Sequence, residues 1–453
     1  MVTTDSRLVH NAVGGSLTKT FRDPWYWLLY GGLLAGVVIL VRTHLHSLLL
    51  GPIVQAAEGH RWMRLVLFPS MLWLAMGTLL LLFRTAIWLR YRPFAAVSPA
   101  EAPPMTVIIP AYNEGAMVLK SIESVAQASY PRDRLEIFVI DDGSQDDTWS
   151  YIEQAAARWP DLIQTIRFSG NQGKRAGLAA GFRAARGEIV VTIDSDSALE
   201  PGALLAIAGP FRDPQIGAVA GQVGAYNRRE GLLPRMLHVR YILSFDFLRA
   251  VESSYGTVYC CPGALTAYRA AVVREVLGPW MKQKFLGAEC TYGEDRALTN
   301  SILALGYHTV YQRSAVVHTV VPTEYGKLCK MFLRWDRSYV REEIRFLGIV
   351  WKRPPVYASV ALWDRFVTNL RFPVNYLSLA LLAVMVREHP RNLLRFAIAA
   401  GLAGLFYSLY YLRSERSLSF LYGVLYSYYS ILTLFWIFPY AVLTVRARSW
   451  LTR

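Results

Sequence analysis

Two long stretches without a charged residue limit what this chain can fold into. Residues 65–83 and residues 418–445 contain no Asp, Glu, Lys or Arg. At ~1.5 Å of rise per helical residue, ~20 apolar residues cross a hydrocarbon core of ~30 Å. Shorter apolar runs stand at 25–41, 396–412 and 372–386, the last beginning upstream near Phe366 with Pro373 as a kink. We read five spans, two before and about three after a polar, motif-rich stretch at 102–335. The run at 25–41 lies between Arg22 and Arg42 and lacks the early apolar core of a signal peptide, so it reads as a retained helix.

Composition agrees with a membrane part. Hydrophobic residues make up 53% and charged residues 18%, below the ~25% charge of an ordinary soluble protein. The net charge of +15 fits Lys and Arg gathered at a cytoplasmic membrane face. No basic nucleic-acid motif accompanies it, so nucleic acid is not an expected partner. Arg84, Arg90 and Arg92 follow the second run and put that end, with the polar stretch after it, in the cytoplasm. Cys260, Cys261, Cys290 and Cys329 have no zinc spacing and read as reduced thiols. The expected organisation is a cytoplasmic segment (1–24), two transmembrane helices (25–92), a Pro-rich linker (93–104), a cytosolic domain (105–323), an amphipathic interfacial helix region (324–355) and about three further transmembrane helices (356–453).

Within the polar stretch, strands and helices alternate. Strands are expected at 107–110, 135–140 and 188–193, and helices at 114–128, 147–158 and 174–185. Such alternation predicts a parallel sheet covered on both faces, whose ligands bind at the carboxyl ends of the strands. From 325 to 346 the period changes. Lys327, Lys330, Arg334, Arg337, Arg341 and Arg345 recur every three or four residues on one helix face, a pattern suited to a membrane surface and its lipid head groups.

The acidic motifs fall where a site is expected. Asp141-Asp142-Gly143 follows a strand; it is either an ordinary turn or a carboxylate that accepts hydrogen bonds from a nucleoside. Asp194-Ser195-Asp196 closes another strand, and two carboxylates one residue apart can hold Mg2+ or Mn2+ against a diphosphate; the plainer reading is a solvated acidic turn. Gly293-Glu294-Asp295-Arg296 opens a helical pattern. Its carboxylates either favour the helix dipole or supply a general base. Lys174 stands at a helix start, against the dipole, which calls for an anion nearby: a phosphate, or an acidic neighbour such as Asp142.

These motifs, in this order, resemble the membrane-embedded, processive family-2 glycosyltransferases, and within them hyaluronan synthases and rhizobial chitooligosaccharide synthases. The resemblance covers about residues 105–343. It also rests on Cys260-Cys261-Pro262-Gly263-Ala264-Leu265-Thr266-Ala267-Tyr268-Arg269, on Gln283-Lys284-Phe285-Leu286-Gly287, on Val320-Val321-Pro322 and on Arg334-Trp335-Asp336-Arg337-Ser338. It implies a GT-A-like nucleotide-sugar glycosyltransferase fold beside an α-helical membrane part, UDP-sugar donors, a growing polysaccharide acceptor and Mg2+ or Mn2+. On the matching positions it implies Tyr112 and Glu114 at the uridine pocket, and Asp142 and Lys174 on UDP. Asp194 and Asp196 would stand at the metal and diphosphate, with Asp295 as the base. Arg334 would contact the diphosphate, Trp335 would be an acceptor platform, and Cys261 would sit near the acceptor. The implied product is a β-linked, N-acetylglucosamine-containing polymer, hyaluronan-like or chitin-like, extruded through the plasma membrane. Alternatives are transfer of one sugar to a lipid, a cellulose-like glucan, or an inactive membrane subunit. One position departs from the pattern: Met331 stands where the family has Gln.

Overall fold

The structure, a computed structural model, describes residues 61–447 and isolated positions between 25 and 51. The expected segment 1–24 and most of the expected span at 25–41 lie outside the described residues. Two compact units emerge. Among the described residues, one comprises 91–358 and 434–447; the other contains 61–90 and 359–433.

The first unit is built on an eight-stranded sheet. Its strands are β1 (Met105–Ala111), β2 (Leu135–Asp141), β3 (Ile163–Arg167), β4 (Ile189–Thr192), β5 (Ser197–Leu199), β6 (Ile216–Ala225), β7 (Thr266–Arg269) and β10 (His308–Thr319), while β8 (Lys284–Phe285) and β9 (Ala288–Glu289) form a separate hairpin. The order is β3-β2-β1-β4-β7-β6-β10-β5. β3, β2, β1 and β4 are parallel, as the alternation predicts; β7 is antiparallel to both of its neighbours, and β5 to β10. Every residue of β1 is buried, which is why it reads as an unbroken apolar run.

β1 is the switch point: the chain leaves it first toward β2 and β3, then returns to its other edge with β4. Pairing of β1 with β4 ends at Ile108–Thr192, while pairing with β2 continues to Ala111–Asp141. Pro110 therefore lies beyond the β4 ladder, where its missing N–H breaks no bond. The crevice between the ends of β1 and β4 is where such a sheet takes its ligand.

The expected helices appear at Met117–Ala126, Thr148–Arg158, Lys174–Ala184, Glu294–Ala304 and Tyr325–Ile349. Two expectations change. The linker is bound to the domain along part of its length: Val97 N donates to Leu205 O at 3.1 Å, Phe94 N donates to Gln312 Oε1 at 3.0 Å, and a Cβ at Gly209 would collide with Ala95 O. The basic face of the long helix is open only at its start, where Lys327 and Lys330 are exposed. Arg337 and Arg341 are buried; Arg337 donates to Thr444 Oγ1, and Arg341 to Glu342 and to Tyr292 O. The apolar side chains of Ile344 and Leu347, with Trp351 just beyond the helix, are the exposed ones.

The second unit is helical. Among the described residues three helices are long and apolar enough to cross a membrane, Phe68–Arg90, Pro355–Glu388 and Arg391–Glu415. The uncharged run at 418–445 makes a fourth if Leu418–Leu434 and Ile437–Leu443, bent by 47° at the break between them, are counted together. Polar contacts join these helices. Arg84 Nε donates to Asp364 Oδ1 at 2.9 Å and Arg84 Nη2 to Thr368 Oγ1 at 2.7 Å. Arg413 donates to Trp88 O at 2.6 Å. Asp364 is buried, so Arg84→Leu alone strands a carboxylate and should cost ~3–5 kcal/mol, whereas Arg84→Leu with Asp364→Leu should recover most of that. Thermal unfolding in detergent measures both; equal losses would show that the pair is not the determinant.

Candidate active site

The loop after β1 forms one wall of the crevice. Asn113 adopts a left-handed conformation, φ +53°. Its N–H donates to Ser144 Oγ at 3.0 Å, and Gln145 N donates to Asn113 Oδ1 at 2.9 Å. The N–H groups of Glu114 and Gly115 both donate to Thr148 Oγ1, at 2.8 and 2.9 Å. These bonds lock the loop bearing the half-buried Tyr112 and Glu114 to the loop after β2.

Asp142 holds the floor. Its two carboxylate oxygens accept from Gln172 N at 2.7 Å and Gly173 N at 2.8 Å. Burial and the adjacent Asp141 push its carboxyl up, against the pull of those two N–H groups. Asp142 thus fixes the turn that delivers Lys174. Lys174 itself does not pair with Asp142, the acidic neighbour considered from the sequence. Its ammonium is hydrogen-bonded to Asp194 Oδ1 and stands 3.3 Å from Glu294 Oε1. Burial works against this charge, but Asp194, Glu294 and Asp295 hold the Lys174 pKa well above its ordinary value. A Cβ at Gly263 would lie 2.7 Å from Lys174 Nζ and 3.0 Å from Asp194 Oδ1, so the Pro-Gly-Ala loop closes over the pair only with glycine there.

Asp196 accepts from Thr319 Oγ1 at 3.0 Å. Burial, Asp194 and Glu114 push its carboxyl up to about 7. No group of three or more His, Cys, Asp or Glu fit to hold a metal occurs among the described residues. Two aspartates are nevertheless what Mg2+ or Mn2+ takes from a protein when diphosphate oxygens and waters complete its shell. The donor set fits such an ion: Asp194 and Asp196 offer oxygens only, and the charges acting on Asp196 are those of other carboxylates, relieved in part by Lys174.

Glu294 and Asp295 begin a helix capped by Gly293 at φ +72°, a conformation that favours glycine. A Cβ there would also collide with Ser338 Oγ on the long helix. The acids start a helix, as the dipole reading expects, and their charges act on Lys174 at the crevice. Despite burial, Lys174, Arg334 and Arg175 hold the Glu294 carboxyl low. Burial and Glu294 push the Asp295 carboxyl up, which raises its affinity for a proton. Asp295 Oδ1 accepts from Arg296 N at 2.7 Å, and Cys260 Sγ lies 3.6 Å from its Oδ2. The cysteine beside Asp295 is thus Cys260. Cys261 is fully buried, its N–H bonded to Thr299 Oγ1. The resemblance implies Cys261 near the acceptor; in the fold it is its neighbour Cys260 whose sulfur reaches Asp295. Trp335 is half-buried among Tyr241, Phe332 and Arg240, with ring centroids 6.1 and 5.6 Å from the two aromatics. Met331 is buried and takes a Tyr241 hydroxyl contact at 3.7 Å from its sulfur.

Residues 106–277 match the family described as glycosyl transferase family 2. The chain is 35% identical over 267 residues to a hyaluronan synthase of Streptococcus pyogenes, an alignment covering 58% of this chain and 62% of the relative. It is 32% identical over 259 residues to an N-acetylglucosaminyltransferase of Rhizobium leguminosarum bv. viciae, covering 57% and 61%. The chain therefore spans less than two thirds of the length of these relatives. A solved mannosyltransferase from Pyrobaculum calidifontis, in complex with GDP-Man and Mn2+, superposes with a TM-score of 0.59 at 21% identity, covering 81% of this chain and 99% of that one; this likeness shows the fold. Residues 106–277 thus carry the likeness to a family-2 glycosyltransferase domain, on a GT-A-like, mostly parallel sheet.

Metal binding needs the ionised carboxylate. With Asp196 held at about 7, Mn2+ affinity should climb by up to ~10-fold per pH unit below that value and level off above it. Titration of free Mn2+ by electron paramagnetic resonance between ~pH 6 and ~pH 8 tests this; a pH-independent affinity would remove Asp196 from the ligand set.

Proposed function

We propose that the chain is a processive, inverting glycosyltransferase that polymerises UDP-sugars into a β-linked, N-acetylglucosamine-containing polysaccharide, hyaluronan-like or chitin-like, and extrudes it across the membrane. The observation that carries this reading is the convergence of Lys174, Asp194, Glu294 and Asp295 at the switch-point crevice. The relatives' names support the product class, and the apolar helices support a membrane setting. On this reading residues 105–323 form a cytosolic domain at the plasma membrane. The helix Tyr325–Ile349 lies at the interface with Ile344, Leu347 and Trp351 toward lipid, Arg337, Arg341 and Arg345 turned into the protein and Lys327 and Lys330 left at the surface.

The chemistry follows from the charges. An acceptor hydroxyl held against Trp335 gives its proton to Asp295, whose raised proton affinity suits a base. The oxygen attacks the anomeric carbon as the bond to the leaving diphosphate breaks, so an α-linked donor gives a β-linked product. Lys174 and Arg334 stabilise negative charge on the leaving group. A divalent ion on Asp194 and Asp196 would supply further positive charge to that diphosphate. Tyr112 and Glu114, on the locked loop, bind the uridine end, and Asp142 keeps the Lys174 turn in place.

General-base help is worth ~10²–10⁴-fold, so Asp295→Asn should retain UDP binding while transfer falls by that factor. UDP release from purified protein with UDP-N-acetylglucosamine alone, UDP-glucuronate alone and both together tests the function. Release sustained only by both, with a hyaluronidase-sensitive product, assigns a hyaluronan-like polymer; release with UDP-N-acetylglucosamine alone assigns a chitin-like one. Near-wild-type transfer in Asp295→Asn would take the base role away, and silence with all three donor mixtures would sink the product class.

A further inference from the structure

Glu342 lies on the long helix, seven positions beyond Trp335, and is 1% exposed. A carboxylate so enclosed is costly unless its lone pairs are used, and here they are. Oε1 accepts from Gln283 Nε2 at 2.6 Å and from Arg341 Nε at 3.1 Å. Oε2 accepts from Asn300 Nδ2 at 3.0 Å and stands 3.5 Å from Arg345 Nη1. Burial opposes its charge, but Arg341 and Arg345, with Asn300 and Gln283, hold the Glu342 carboxyl below the usual range.

Each partner leads to a different part of the site. Asn300 is on the helix that begins with Glu294 and Asp295, and its Nδ2 also donates to Glu342 O at 3.0 Å. Arg345 donates to Ala297 O and Ser301 Oγ on the same helix, at 3.3 and 3.1 Å. Arg341 reaches Tyr292 O at 2.6 Å, just before the Gly293 cap. Gln283 precedes the β8–β9 hairpin and accepts from Arg175 Nη2 at 3.1 Å. Arg175, next to Lys174, donates to Trp280 O at 2.7 Å, and the Trp280 indole donates to Glu294 O at 3.0 Å. One buried carboxylate thus gathers the Lys174 turn, the hairpin, the helix starting at Asp295 and the helix carrying Arg334 and Trp335.

We propose that Glu342 is a positioning residue for sugar transfer: it sets the register between the Asp295 helix and the Arg334–Trp335 helix. The inference rests on the sugar-transfer reading given above. It touches no reacting atom. Its effect is on which hydroxyl reaches Asp295. With the register fixed, the acceptor on Trp335 lies in line. With the register loosened, water competes: its oxygen bonds to the anomeric carbon, the bond to UDP breaks, the proton goes to Asp295, and free sugar is released instead of polymer.

The test compares wild type, Glu342→Gln and the exchanged pair Gln283→Glu with Glu342→Gln, as full-length protein in detergent. The exchanged pair keeps one carboxylate and one amide at the same contact. Two quantities are read: free against polymer-bound N-acetylglucosamine, made from UDP-N-acetylglucosamine with and without UDP-glucuronate, and amide exchange at residues 290–297 without any sugar nucleotide. Glu342→Gln should raise the free-to-polymer ratio by at least ~10-fold and speed that exchange, with the donor KM little changed. The exchanged pair should bring both back to within ~3-fold of wild type. A ratio unchanged in Glu342→Gln, even with lower stability or total activity, would leave the residue merely structural and overturn the proposal. The exchange arm needs no substrate: a wild type silent toward both donors would count against the sugar-transfer reading, and unchanged exchange at 290–297 would still overturn the register.

Discussion

The ammonium of Lys174 is the charge on which the arrangement of this site depends. Five carboxylates, Glu114, Asp194, Asp196, Glu294 and Asp295, act on one another or on Lys174 in and around one crevice. Two like charges ~4 Å apart repel by ~4 kcal/mol at an effective dielectric of ~20, a sizeable part of the ~5–15 kcal/mol that holds a domain together. Lys174 answers this from a fixed place, because Asp142 anchors the turn before it and Gly263 lets the loop above it close. The same cation divides the Glu294–Asp295 pair. It stands 3.3 Å from Glu294, which it keeps ionised, and the ionised Glu294 then raises the proton affinity of Asp295. The two neighbouring carboxyls are thereby set apart by a single side chain, which is what the proposed base and diphosphate contact require.

The sequence carried the parts of this arrangement that depend on local pattern. β1, β2 and β4 were legible because strands buried on both faces are continuous apolar runs. The acidic motifs were legible as loop positions because they follow those strands. β3 was not: it is an edge strand with exposed Gln164, Thr165 and Arg167, and its five residues show little periodicity. β6 was hidden by its small residues, Gly217, Ala218, Ala220 and Gly221 among them, which are buried for close packing rather than for bulk. Pairings between distant segments were out of reach. The need for an anion near Lys174 follows from the helix dipole, but choosing Asp194 and Glu294 over Asp142 requires the path of the chain between β1 and β4.

The long helix Tyr325–Ile349 shows how a correct periodicity can lead to the wrong neighbour. Its basic residues do share a face, as their spacing of three and four requires. Charge alone places such a face against lipid head groups. In the fold that face meets backbone carbonyls at Tyr292 and Ala297, the hydroxyls of Ser301 and Thr444, and the carboxylate of Glu342. Guanidinium groups suit this, since each offers five donors in a fixed plane. Toward the carboxyl-terminal end of the helix the apolar Ile344 and Leu347, which a soluble protein would bury, are exposed, while Lys327 and Lys330 at its start remain at the surface. Over its second half the helix is amphipathic in the reverse sense to the one its charges imply.

On the function proposed above, that reversal bears on how a membrane-bound transferase keeps its chemistry in register. A helix held to the bilayer by its charges would move with the lipid, and Arg334 and Trp335 would move with it. Arg337, Arg341 and Arg345 are committed inward while Ile344 and Leu347 are exposed, so on that reading burial against lipid is non-directional while these hydrogen bonds tie the second half of the helix to the domain. Ser338 against Gly293 shows how tight that tie is: one turn of helix beyond Arg334, the packing has no room for a Cβ on the cap that precedes Glu294 and Asp295. Lateral movement in the membrane and fixed geometry at the anomeric carbon are therefore compatible, because the first is opposed only by area and the second by hydrogen bonds.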